Sequence, residues 1–144
     1  MVNVLRTMGN YQPQVGKPIR KEADDNLARG VVSGFIDLMG EQTAGSMAIS
    51  FPKEVALDLV ERILGDKLTE VDETVKDLVG ELTNMVSGGA KKLLSEKGFH
   101  FYLSQPVTFD GEKHQILHNV YGPKIIIPFH VESGHFVVEV CFRD

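Results

Sequence analysis

Glu81 and Asn84 stand three residues apart, with Asp77 four residues before Glu81 and Gly88 four after Asn84. On a helix, residues three and four apart lie one above another, so Glu81 and Asn84 can reach into the same site. At about 100° per residue, Asp77, Glu81, Asn84 and Gly88 fall in one stripe roughly 60° wide. The carboxylate brings charge and acceptors, while the amide both donates and accepts hydrogen bonds. The apolar residues of the same segment centre on the opposite side, so the stripe points to solvent or to a partner. Gly88 would leave a smooth floor beside Asn84 where a partner's backbone can approach. Gly89 falls on the core side, where close helix–sheet packing would use it. Each glycine costs the helix about 1 kcal/mol relative to alanine. Taken alone, an acid and an Asn at this spacing describe an ordinary solvated helix face.

Two other sets of residues have chemical potential. His114 and His118 are four apart, a spacing that aims both at one metal only on a helix. Here they fall in an expected strand, about 13 Å apart on one face. No Cys or carboxylate set accompanies them, so no metal site is expected and they are read as surface or interface histidines. Cys141 lies in the strand-like run Phe136–Phe142 and reads as a buried structural thiol.

The elements that must carry the stripe follow from periodicity. Asp72 to Gly98 is the strongest helical segment, with Val75, Leu78, Val79, Leu82, Met85, Val86, Leu93 and Leu94 recurring on one face. Asp72 and Glu73 suit its N-terminal end, and Lys91, Lys92 and Lys97 its C-terminal end. An earlier helix opens at Pro52 and closes at Gly65. Before it, 30–38 and 44–51 form a hairpin across Gly40-Glu41-Gln42. Residues 12–22 read as an extended arm or strand, Asp24-Asp25-Asn26 as a turn, and 1–9 as the tail of a longer helix. Strands are expected at 99–105, 114–120, 123–132 and 135–143, with Ile125-Ile126-Ile127 in a central, twice-covered strand. The order β-β-β-α-α-β-β-β-β predicts an α+β fold in which a largely antiparallel sheet packs against two main helices.

At 144 residues the chain is long enough for one domain, 1–144, with its own core. Its net charge of −5 argues against nucleic acid and against an anionic membrane surface. No apolar run approaches the roughly 20 residues that span a bilayer. A lone cysteine and a start without a signal peptide point to the cytoplasm.

The wider pattern carries a resemblance. Asp77-x3-Glu81-x2-Asn84-x21-Pro106 resembles the signature of the CheC/CheX/FliY family of chemotaxis phosphatases. Gly45-Ser46-Met47-Ala48-Ile49-Ser50-Phe51-Pro52, with Val55-Ala56 and Ile63-Leu64-Gly65, is similar to the family's strand-then-helix unit. Asp77 to Val86 with Ala90-Lys91 is similar to its signature helix, and Gly30-Val31-Val32-Ser33-Gly34 to the segment that precedes them. The earlier helix has Asp58 and Glu61 but Leu64 where an Asn is needed. A single ExxN helix in so short a chain resembles CheX rather than CheC. Family members usually begin with a longer helix, inside which Asn3-Val4-Leu5 would fall. The resemblance implies hydrolysis of an aspartyl phosphate on a CheY-like response regulator. Asn84 would orient the attacking water, and Glu81 would pair with the receiver's lysine. Asp77 and Gly88 would contact the partner, and Pro106 would shape the neighbouring loop. No cofactor is expected in this chain, because Mg²⁺ would come with the receiver, and a homodimer paired through the sheets is implied. The alternative is a docking module without catalysis, as in a flagellar switch complex.

Overall fold

The structure is a computed structural model that describes residues 14–143. The helix tail expected at 1–9 lies outside the described residues. Among the described residues ten elements follow one another: β1 (Gln14–Val15), β2 (Ile19–Lys21), β3 (Val32–Met39), β4 (Ala44–Phe51), α1 (Lys53–Leu64), α2 (Glu73–Glu96), β5 (Tyr102–Leu103), β6 (Val107–Asp110), β7 (Lys124–Val131) and β8 (Gly134–Phe142). The strands form one antiparallel sheet in the order β1-β7-β8-β4-β3-β5, with β2 also on β7 and β6 also on β3. Two helices packed on an antiparallel sheet make the α+β class that the periodicity predicts.

The helices end where their residues dictate. Pro52 caps α1 from an extended backbone, and Gly65 closes it at φ 79°, a left-handed conformation that glycine adopts without a Cβ clash. The Asp72 side chain accepts a hydrogen bond from the Val75 N–H and satisfies one of the free donors at the start of α2. Both helices cover the same face of the sheet. There Val32, Ile36, Ile49, Phe51, Leu59, Val79, Leu82 and Phe136 form the main core. No helix among the described residues is long and apolar enough to cross a membrane.

The opposite face of the sheet differs from expectation. Residues 114–120 are not a strand; Leu27 and Gln115 form only an isolated bridge. The segment is a strap laid across the sheet. His114, Ile116 and His118 turn inward while Gln115, Leu117 and Asn119 stay exposed. Alternation therefore sorts inside from outside without a strand ladder. Ile116 N–H donates to the Asn26 carbonyl at 2.7 Å, and Ile116 packs with Ala28, Phe35 and Ala48.

Two further corrections concern strands. The strand expected at 99–105 shrinks to Tyr102–Leu103, and a strand not foreseen, Val107–Asp110, follows Pro106. Proline has no N–H to give a ladder, so this edge runs as two short pieces. The Ile125–Ile127 run is not central: β7 has β8 on one side and only the broken β1/β2 edge on the other. Cys141 is buried in β8, as expected.

Candidate functional site

The buried face of α2 is made by Val75, Leu78, Val79, Leu82, Thr83, Val86 and Ser87. Its contact with β3 is very close. A Cβ built on Gly34 would stand 1.8 Å from Thr83 Oγ1 and 3.2 Å from the Val79 carbonyl oxygen. Only glycine at position 34 lets the helix lie this near the strand. Thr83 Oγ1 donates to the Val79 carbonyl at 2.7 Å, and Ser87 Oγ donates to the Asn84 carbonyl at 3.0 Å. Both buried hydroxyls are thus satisfied within the helix, as buried polar groups must be.

With that face fixed, Asp77, Glu81 and Asn84 are turned outward and exposed, and Gly88 is half-buried beside them. The structure therefore brings together all four residues singled out from the spacing, on a convex helix face. A convex face suits a folded partner better than a small free substrate, which sites enclose in clefts. β6 flanks the stripe: Thr108 Cγ2 would lie 3.5 Å from a Cβ on Gly80, and Lys76 Nζ is 3.6 Å from Asp110. The Lys76 ammonium is raised above its usual range, first by its hydrogen bond to Glu73 and then by the charge of Asp110. Pro106 lies in the turn between β5 and β6, where it leads into that flanking strand.

Gly89 corrects one expectation. It is exposed, and a Cβ on it or on Gly88 would meet nothing within 4 Å. Among the described residues neither glycine is needed for packing; the glycine that admits close helix–sheet contact is Gly34. On α1, Asp58 is paired with Arg62 at 3.2 Å, and Arg62 also bonds Glu132 at 2.9 Å. The earlier helix therefore presents an ion-pair lattice where a second acid–amide pair would have to be.

His114 and His118, expected at the surface or an interface, turn in against the sheet instead. His118 Nε2 lies 2.6 Å from Glu139 Oε2, its Nδ1 meets Ser46 Oγ, and Lys21 Nζ donates to Glu139 Oε1 at 2.8 Å. His114 Nε2 meets Ser33 Oγ at 2.6 Å. Burial pushes the Glu139 carboxyl up, but hydrogen bonds from His118 and Lys21, with the charge of Lys21, outweigh it and hold the carboxyl below its usual range. Asp25 is lowered to about 2, chiefly by the hydrogen bond from Arg29 and then by the Leu27 N–H. No group of three or more His, Cys, Asp or Glu converges as a metal cage among the described residues. Sequence reasoning missed this network because its members lie in β2, β4, β8 and the strap, far apart along the chain.

Comparison with known proteins supplies the frame for this geometry. A family model described as "Chemotaxis phosphatase CheX" matches residues 32–130. A CheC-like superfamily protein from Shewanella sp. PV-4 is 48% identical, with a TM-score of 0.90 over 99% of this chain and 92% of that one. The chemotaxis protein CheX from Vibrio vulnificus is 44% identical, with a TM-score of 0.90 over 99% and 93%. The CheX–CheY–BeF3–Mg²⁺ complex from Borrelia burgdorferi contains a chain 28% identical, with a TM-score of 0.79 over 99% and 92%. No match was found among curated proteins.

Proposed function

Because this chain belongs to the CheX chemotaxis phosphatase family, we propose that it removes the phosphoryl group from the aspartate of a phosphorylated CheY-like response regulator. The observation that carries this reading is the exposed Glu81–Asn84 pair, one turn apart on the convex face of α2. The relative crystallised with CheY, BeF3 and Mg²⁺ supports a receiver as the partner.

An acyl phosphate needs positioning and charge neutralisation more than covalent help. Asn84 inserts beside the phosphoryl group. Its amide donates to one polar atom and accepts from the water, which holds that water in line for attack on phosphorus. Orienting the water in advance removes much of the entropic part of the barrier. Glu81 pairs with the receiver's lysine and sets the register of docking, and that ion pair gains strength as water is excluded from the interface. Asp77, one turn earlier, extends the contact. Gly88 leaves room for the partner's backbone. The receiver supplies Mg²⁺, so no step depends on a metal held by this chain. The broken edges and exposed apolar residues of the sheet make a homodimer part of the same proposal.

The test mixes the protein with an acetyl-phosphate-charged receiver and Mg²⁺ and follows phosphate release. The parent should accelerate release, and Asn84→Ala should return it to the receiver's own rate while still binding. Glu81→Ala should weaken binding as well as turnover. A receiver that binds but is not dephosphorylated faster would sink the catalytic reading and leave a docking module.

A further inference from the structure

Lys124 is 8% exposed, yet no carboxylate pairs with it among the described residues. Its Nζ donates to the Asp25 carbonyl at 2.9 Å and to Asn26 Oδ1 at 2.7 Å, both neutral acceptors. An ammonium has three N–H donors, so one is without a partner among the described residues. The nearby acids are committed elsewhere. Glu139 is held by Lys21 and His118, and Asp25 is held by Arg29 at 2.6 Å. A buried charge without an opposite charge is costly, and proteins rarely keep one without compensation.

Lys124 lines an open cavity of about 780 Å³ shared with Arg20, Asn26, His118 and Tyr121. No carboxylate among the described residues lines it. Arg20 has no hydrogen-bond or ion-pair partner among the described residues. Two cations without anions therefore meet one cavity, in a chain whose net charge is −5. Its rim is apolar and aromatic: Tyr121 is 93% exposed and Leu117 is 62% exposed.

We propose that this cavity is a binding site for a small phosphate monoester, with the phosphate on Lys124 and Arg20 and an aromatic body against Tyr121 and Leu117. The free N–H of Lys124 and the guanidinium fork of Arg20 suit a tetrahedral dianion. The exposed ring of Tyr121 suits a planar group. Lys124 reaches the cavity from the strap side and Arg20, opposite Ile125 in the ladder, from across the β2 edge. α2 packs on β3 and β6, away from β2 and β7, so a bound ligand leaves Glu81 and Asn84 free. The inference does not rest on the phosphatase reading, and its test does not use turnover.

The experiment titrates ¹⁵N-labelled protein with inorganic phosphate and, separately, with adenosine monophosphate. Saturable shifts of the Tyr121, Gly122 and Lys124 amides are expected with both, at lower concentration for the nucleotide. Arg20→Gln and Lys124→Met should each weaken binding about tenfold or more, as expected for losing a charge-assisted contact. Arg20 is exposed, so its variant keeps the fold even if Lys124→Met does not. Equal affinity for the two probes assigns the site to the free anion and removes the aromatic part of the proposal. Shifts that never saturate, or that are unchanged in Arg20→Gln, overturn it.

Discussion

Glu139 shows how much one side chain can hold. It is buried between a lysine and a histidine, both within hydrogen-bond distance. Replacing it with Gln keeps the shape but leaves the Lys21 ammonium buried without an opposite charge. Breaking a buried pair in this way costs about 3–5 kcal/mol. We therefore expect Glu139→Gln to shift the urea midpoint far below the parent's, and a midpoint within error of the parent's would refute this role. The same residue sets an acid limb. Its folded-state carboxyl titrates below the ordinary value of 4.5, so its contribution is present above that value. The contribution is lost as pH falls below 4.5 and through the lower folded value. Urea midpoints of the parent should fall across that window more than those of Glu139→Gln. At this scale the sequence was half legible. Glu81 and Asn84 share one local helix period and stand out through the resemblance of the longer Asp77–Pro106 pattern, whereas Lys21, Ser46, His118 and Glu139 meet only through sheet register, which no local period encodes.

α2 is the element that converts spacing into a site, and its placement depends on Gly34. The 3.6-residue period made α2 and its exposed stripe readable, and the acidic start at Asp72 and the close of α1 at Gly65 were readable from their residue types. The partner of its buried face was not, because nothing in Gly30–Leu38 says which glycine meets a helix. Adding a methyl at Gly34 places a carbon 1.8 Å from Thr83 Oγ1 and 2.9 Å from Thr83 Cβ. The helix must then lift from β3, and overpacking of this kind costs about 1–3 kcal/mol. Gly34→Ala should lower the urea midpoint and slow receiver dephosphorylation, although Asn84 itself is untouched. Adding Thr83→Ala removes the nearest atom and should recover part of both losses. Gly34→Ala with the parent's stability and rate would show that the helix does not need this contact. The strap at 114–120 carries the converse lesson: its alternation was legible but its pairing was not, because lying on a sheet and lying in one give the same in–out pattern.

On the scale of the whole molecule, the helices and the strap cover the two faces of the sheet, but both edges are left short and broken. β1 and β2 are separated by Gly16, Lys17 and Pro18, and β5 and β6 by Ser104, Gln105 and Pro106. Interrupted edges discourage indiscriminate strand pairing. A net charge of −5 opposes self-association in general, so any dimer must rest on a local apolar patch. The β6 edge has one. Val107 and Phe109 are 49% and 40% exposed and lie opposite Phe35 and Ser33 in the ladder, so they share the strap side of the sheet. With Phe35 and Leu117 they line a groove of about 270 Å³. The β1/β2 edge also exposes Val15 and Ile19, but they are split by the break at Pro18. We therefore expect the homodimer to form along β6 and its strap-side groove, leaving the α2 stripe of each copy open to a receiver. Sedimentation equilibrium should give a dimer for the parent and for Val15→Glu, and a monomer of unchanged helicity for Phe109→Glu. A dimer that survives Phe109→Glu but is lost with Val15→Glu would move the interface to the opposite edge, and a parent that stays monomeric across the concentration range would remove the dimer altogether.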